Sequence, residues 1–391
     1  MKIHVDALGC KLNQSEMEDL ARQFHAAGHE IVTDPTQAEL SIFNTCTVTH
    51  VAARKSRQAL RRLRRENPDA CIVATGCYVQ MSPAEIEALE SVDVLVDNQA
   101  KGRIFDLLAA RIPGLLAIEE EATDRHLSPL TPATHTRAFI KIQEGCNNAC
   151  TYCIVTKARG PATSRPQDDI LEEIRQRLQE GYKEIVLTGV HIGCYGQDLE
   201  GIDLAQLVTA ILEETMVTRL RLSSIEPWDF TDALLDCWTD PRLCRHLHLP
   251  LQSGCDATLD RMERKYTTAQ YADLLSKIRA AIPGVAISTD IMVGFPQETE
   301  AEFESSLAFV KRQGFSRLHV FKYSQREDTA AAGMSGHVPP PIKDARSQAM
   351  RRIGRLASRQ FRESLLGSTM DVLWETTSSA EENAKPVWSG L

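Results

Sequence analysis

Short apolar runs alternate along the chain with longer stretches in which apolar residues recur at helical spacing. In the first 118 residues, runs at 3–8, 40–44, 71–75 and 92–96 predict strands, and amphipathic patterns at 15–27, 51–65 and 83–89 predict the helices between them. The alternation predicts a parallel α/β sheet. Residues 119–136 (EEEATDRHLSPLTPATHT) are acidic, then rich in proline and threonine, without an apolar period, which predicts a linker. From 137 a longer series follows, with strands expected at 138–143, 184–188, 219–223, 246–251, 286–293 and 317–323 and helices including 168–179, 204–214, 268–281 and 299–313. Such a run of βα units predicts a partial (β/α)6 TIM-like barrel over 137–366, with an open doubly wound sheet as the other arrangement. After a Gly/Pro break at 333–341, a helix rich in arginine is expected over 342–366, and residues 367–391 hold one strand-like stretch at 370–375. That last piece is too short to form an independent domain.

Composition narrows the class. With 391 residues, 25% of them charged and 43% hydrophobic, the chain is a folded protein of about two to three domains. Its 44 basic and 53 acidic residues give a net charge of −9, which argues against a uniformly basic nucleic-acid coat but not against local basic patches. The start, MKIHVDAL, has no leader pattern, and no run approaches the roughly 18 apolar residues of a membrane span, so a cytoplasmic protein without a membrane is expected. In a reducing compartment, eleven cysteines are better suited to metal binding or chemistry than to disulfides.

The cysteines sort into two triads. Cys146, Cys150 and Cys153 fall within one short loop, GCNNACTYC, after the first expected barrel strand. Thiolates this closely spaced converge on one centre, either tetrahedral zinc or an iron-sulfur cluster, and no fourth Cys or His lies nearby in sequence to close a zinc site. Three ligands leave one position open, and the C-terminal ends of barrel strands are where such folds place active sites. Cys10, Cys46 and Cys77 are far apart in sequence, yet each lies just past an expected parallel strand of the first sheet. Strand ends of that kind share one crevice, so these thiols are expected to meet and to hold a second cluster. Cys71, Cys194, Cys237, Cys244 and Cys255 share no such logic and are expected to pack.

The CxxxCxφC pattern of Cys146, Cys150, Tyr152 and Cys153 resembles the signature of the radical S-adenosylmethionine superfamily. The contexts LGCKLNQ around Cys10, NTCTVT around Cys46 and GCYVQ around Cys77, placed ahead of it, look like the methylthiotransferase family. This resemblance implies two [4Fe-4S] clusters, one per triad, and S-adenosylmethionine bound at the Cys146/Cys150/Cys153 cluster with Tyr152 beside its adenine. It also implies reductive cleavage to a 5′-deoxyadenosyl radical, an external one-electron donor such as a flavodoxin or ferredoxin, and replacement of a C–H by C–SCH3 at the second cluster. SSIEP (223–227), LPLQSG (249–254) and TDIMVGFP (289–296) match the family core and make Glu226 a candidate cofactor contact and Gln252 and Asp290 candidate pocket residues. The segment after 367 resembles only the first portion of the family's small RNA-binding β domain, so a shortened form is expected.

Within the family, LGCKLNQ, the arginine-rich segment after Val51 and LTGVHIG (187–193) are most similar to the MtaB type, which modifies N6-threonylcarbamoyladenosine at position 37 of tRNA. The isopentenyladenosine-modifying type and the type acting on an aspartate of a ribosomal protein are the alternatives. A non-catalytic iron-sulfur protein that binds RNA or senses redox state is the reading from another class. Two arginine stripes support an RNA substrate: Arg54, Arg57, Arg61 and Arg65 on one helix face, and Arg351, Arg355, Arg359 and Arg362 on another. Both are expected to contact phosphates and so position a folded RNA.

Overall fold

A computed structural model describes residues 1–112, 115, 136–378 and 387–390. The expected linker lies outside the described residues except at its last position, Thr136. Five parallel strands, β1 (Lys2–Ala7), β2 (Glu30–Ile31), β3 (Leu40–Thr45), β4 (Cys71–Gly76) and β5 (Val94–Val96), form the first sheet in the order β2-β1-β3-β4-β5. The order reverses between β1 and β3, which opens a crevice at the strands' C-terminal ends. Apolar residues cover both faces of the sheet. The Lys11–Ala26 helix packs Met17, Leu20 and Phe24 with Ile104 and Leu108 on one side, and the His50–Glu66 helix packs Ala53, Leu60 and Leu63 on the other.

The second series is a curved sheet, not a doubly wound one. Its strands are β6 (Arg137–Lys141), β7 (Glu184–Thr188), β8 (Leu220–Leu222), β9 (His246–His248), β10 (Ala286–Val293) and β11 (Arg317–Lys322), all parallel. They lie in sequence order as two three-stranded parts joined by parallel bridges from Leu220 to Leu243 and from Ser224 to His248. Among the described residues β6 and β11 do not pair with each other, so the barrel is open along one side. Strand alternation puts Ala138, Ile140, Ile185 and Leu187 into the core under the helices. The opposite rows, including Arg137, Phe139, Glu184, Arg221, His248, Asp290 and His319, therefore line the lumen.

Several element boundaries differ from expectation. The first helix begins at Lys11 and not Ser15, because Cys10 occupies its N-cap and the polar start KLNQ has no apolar period. The expected helix at 83–89 is a short Pro83–Glu87 helix preceded by a separate turn of helix at Cys77–Met81. The tail holds an antiparallel pair, β12 (Trp374–Ser378) with β13 (Val387–Gly390), in place of the single strand expected at 370–375. Turn-flanked strands this short have too few positions for an alternation to show.

Candidate active site

The dispersed triad is assembled by backbone geometry at the crevice. Cys46 directly follows β3, Cys77 directly follows β4, and Cys10 follows β1 by a short turn. Two glycines make this possible. Gly9 has φ +120°, and a Cβ there would stand 3.0 Å from Cys46 Cβ and 3.1 Å from its Sγ; Gly76 has φ +100°, and its Cβ would stand 2.2 Å from Asn44 Oδ1. Only glycine lets these loops approach so closely. Asn13 bridges the loops, its amide donating to Leu8 O at 2.8 Å and Thr45 O at 3.4 Å while its Oδ1 lies 3.5 Å from Cys10 Sγ. Burial, joined by the charges of Cys77 and Cys10, pushes the Cys46 thiol up to about 11, while Cys10 is exposed.

The contiguous triad sits where β6 leads into the barrel mouth. Gly145, at φ +69°, passes so near Pro161 that a Cβ would lie 1.8 Å from its carbonyl oxygen. The thiols accept hydrogen bonds from the Asn148 N–H to Cys146 (3.4 Å), the Val155 N–H to Cys153 (3.4 Å) and Arg264 Nη1 to Cys150 (3.5 Å). His191, hydrogen-bonded through Nε2 to Asp229, places Nδ1 3.8 Å from Cys146 Sγ. Burial opposes a charge on that ring, but the Asp229 carboxylate and the Cys146 thiol outweigh it and push His191 up to about 12. Burial raises Cys153 to about 11, and the other two thiols add to it.

Both triads fit a cluster. The three thiols in each set lie within electrostatic reach of one another, a repulsion among thiolates that bound iron would relieve. Among the described residues no three His, Cys, Asp or Glu side chains crowd closely enough to hold a single ion. Thiolates serving separate irons of one cluster stand farther apart than ligands of one ion.

Arg159, at the end of the Val155–Arg159 helix that follows Cys153, joins the two sites. Its guanidinium is buried and donates to Glu16 Oε1 at 2.7 Å, Asn13 Oδ1 at 2.6 Å and Glu144 Oε1 at 2.7 Å. Burial works against the Glu16 carboxylate, yet Lys101 (2.8 Å) and Arg159 hold it well below the usual carboxylate range. Asn98 adds a second tie, donating to Ala158 O at 2.6 Å and lying 3.9 Å from Cys77 Sγ. The loop that carries one triad is thus pinned to the helix that starts at the other.

Comparison with known proteins agrees with this geometry. Residues 140–310 match the Radical SAM superfamily, and residues 2–97 match a family described as "Uncharacterized protein family UPF0004". The chain is 38% identical over 386 residues to the threonylcarbamoyladenosine tRNA methylthiotransferase MtaB of Bacillus subtilis, covering 96% of this chain and 86% of that protein. The chain belongs to the radical S-adenosylmethionine methylthiotransferase family. MtaB of Thermotoga maritima is 36% identical (95% and 86% coverage), and a tRNA-2-methylthio-N(6)-dimethylallyladenosine synthase of Staphylococcus epidermidis is 34% identical (97% and 76%). Among solved structures, the radical S-adenosylmethionine methyltransferase TsrM of Kitasatospora setae shares the fold, with TM-score 0.60 at 14% identity over 82% of this chain and 72% of that one. Enzymes of this family use S-adenosylmethionine and [4Fe-4S] clusters.

The other expected site residues of this methylthiotransferase fall in different places. Tyr152 is half-buried against Met262 and Phe295, its hydroxyl 3.4 Å from Arg264 Nη1. The Glu226 carboxylate is held by Arg264, which also reaches Pro250 O at 3.3 Å and lies against the rings of Trp228 and Tyr266, 4.7 and 5.3 Å from their centroids. Gln252 is half-buried in a left-handed turn at φ 64°, its backbone N–H donating to Asp290 O. Asp290 faces the lumen 3.3 Å from His248 Nε2 and 4.0 Å from His319 Nδ1. Sequence reasoning passed over Arg159, His191 and Arg264. His191 lay inside the LTGVHIG match, while Arg159 and Arg264 had no local signal.

The arginine stripes divide. Arg54, Arg61 and Arg65 are exposed, and among the described residues none is in an ion pair. Arg57 is instead half-buried and held by the Tyr78 hydroxyl and by Glu85 at 3.4 Å, so its guanidinium is already engaged within the protein. Arg351, Arg355, Arg359 and Arg362 are exposed along the Pro340–Glu363 helix, although Arg359 pairs with Glu363 at 2.7 Å. Among the described residues no helix is long and apolar enough to cross a membrane.

Proposed function

We propose that this chain methylthiolates C2 of N6-threonylcarbamoyladenosine at position 37 of tRNA, giving 2-methylthio-N6-threonylcarbamoyladenosine. The observation that carries the reading is the pinning of two cysteine triads to each other through Arg159, in a chain 38% identical to a protein named for that modification. When bound, the clusters and S-adenosylmethionine supply a carbon-centred radical and a methylthio donor; the C2–H bond is too weakly acidic for any side-chain base at neutral pH.

The chain's own residues bind and orient. Cys146, Cys150 and Cys153 would hold the cluster that takes S-adenosylmethionine, with Tyr152 and Glu226 beside it and Arg264 fixing both. Cys10, Cys46 and Cys77 would hold the second cluster, and Gln252 and Asp290 would line the pocket. The ties of Arg159 and Asn98 hold the loop of one triad against the helix that starts at the other, which keeps the two triads in one relative position. Arg54, Arg61, Arg65, Arg351 and Arg355 would contact tRNA phosphates. An external one-electron donor, a flavodoxin or ferredoxin, would act in the cytoplasm with the tRNA.

Nucleoside analysis of tRNA from a strain lacking the gene tests the reading. Loss of 2-methylthio-N6-threonylcarbamoyladenosine with build-up of its unthiolated precursor is expected. Loss of the methylthiolated dimethylallyl nucleoside instead would transfer the assignment to the activity named for the Staphylococcus relative.

A further inference from the structure

Among the described residues Lys11 forms no ion pair, although it reaches into the charged lumen of the barrel. Lys11 is the residue after Cys10, on the first turn of the helix that packs against β6. Its ammonium lies 6.0 Å from the centroid of Phe139, in the luminal row of β6, and within electrostatic reach of Arg137, Arg221, His246 and His319. Those neighbours belong to strands from the first of the barrel to the last, so Lys11 faces the lumen. The carboxylates nearby are already engaged. Glu184 is shared by Arg219 and Arg221 at 3.0 and 2.6 Å, Glu375 is taken by Arg137, and Asp290 faces His248 and His319. Among the described residues Lys11 makes neither a hydrogen bond nor an ion pair. Lys11 is half-buried, and leaving a partly desolvated charge without a partner is costly, so a site of this kind suits an anionic ligand.

We infer that Lys11 is the specificity residue for the free carboxylate of the substrate, pairing with the threonyl carboxylate of N6-threonylcarbamoyladenosine inside the barrel. This rests on the reading above of which nucleoside is modified, and it adds the group that tells that nucleoside from uncharged N6-alkyl adenosines. The geometry is consistent. C2 and C6, which carries N6, flank N1 of the adenine, so the N6 substituent can extend into the lumen while C2 faces the thiols, and Lys11 is bonded to the residue that carries one of them. Phe139 beneath the ammonium offers an apolar wall for the threonyl side chain. With Arg137 and Arg221 already paired, the Lys11 ammonium would draw in a carboxylate, whereas a neutral substituent gains nothing from it.

The test uses the full-length enzyme with both clusters reconstituted and an anticodon stem-loop RNA carrying N6-threonylcarbamoyladenosine, either as the free acid or as its neutral methyl ester. For the wild type, kcat/KM should favour the acid over the ester by on the order of 10- to 100-fold, mostly through KM. In Lys11→Gln that ratio should fall to about one, and Lys11→Arg should restore most of it. Iron content and the two clusters' spectra check that the neighbouring Cys10 is undisturbed. A wild type that makes no distinction between acid and ester overturns the inference whatever the variants do, as does Lys11→Gln retaining the full preference. A wild type that methylthiolates neither RNA overturns the underlying choice of nucleoside instead.

Discussion

The two cysteine triads are built by opposite means. One is written into nine consecutive residues, 145–153, and its loop needs only a glycine and a few N–H donors to present three thiols. The other draws on three separate strands of a doubly wound sheet and exists only when β1, β3 and β4 are in register. The contiguous triad can therefore form early and locally, whereas the dispersed one depends on the whole first domain and on its contact with the barrel. Each is backed by a buried arginine, Arg264 behind Cys150 and Arg159 beside Cys10 and Cys77. Arg264 is tied within its own domain; Arg159 crosses between the two.

The largest expected effect separates the triads by chemistry. Cys150→Ala should abolish 5′-deoxyadenosine formation, a loss of at least about 1,000-fold, while Cys46→Ala should keep it and lose the methylthiolated product; each should retain about half the iron. If both variants lost radical formation equally, the division of labour would fail. Next come the glycines. Gly76→Ala and Gly145→Ala introduce Cβ atoms 2.2 Å from Asn44 Oδ1 and 1.8 Å from Pro161 O, at positive φ, and each should cost about 3 kcal/mol or more in denaturant unfolding. Gly28→Ala, also at positive φ but with open space around it, should cost only about 1 kcal/mol.

The arginines sharpen the comparison further. Arg159→Met leaves Glu16 buried with one partner fewer and should destabilise by about 3 kcal/mol, loosening the dispersed triad and lowering its iron occupancy before that of the other. Equal loss of iron from both triads would show that Arg159 does not act at the domain contact. The smallest effect lies on the surface. Arg61→Glu with Arg65→Glu should weaken tRNA binding and flatten its salt dependence without altering iron content, whereas Arg57→Glu should act through stability because it breaks the Tyr78 and Glu85 contacts.

What could be read in the sequence follows the same division. The contiguous triad is visible as spacing, and the strand-end logic placed Cys10, Cys46 and Cys77 correctly although 31 to 36 residues separate them, because parallel sheets present all their C-terminal ends at one crevice. The contacts that join the sites left no trace. Arg159 meets Glu16 across 143 residues and Arg264 meets Cys150 across 114, and pairs at that distance create no local pattern. Arg57 read as a surface arginine by helical spacing because spacing reports the face and not the partner, which arrives from the segment after β4. The helix start at Lys11 was hidden for a related reason: its first turn carries a single apolar residue, Leu12, and its polar residues serve the site.

The central claim is that the two triads act in sequence on one nucleoside, and a single-turnover assay tests it most directly. Reconstituted wild type and Cys46→Ala are each reduced with S-adenosylmethionine and tRNA carrying N6-threonylcarbamoyladenosine, and 5′-deoxyadenosine and the methylthiolated nucleoside are counted together. The account predicts both products from the wild type and 5′-deoxyadenosine alone from Cys46→Ala; methylthiolated nucleoside from Cys46→Ala would contradict it.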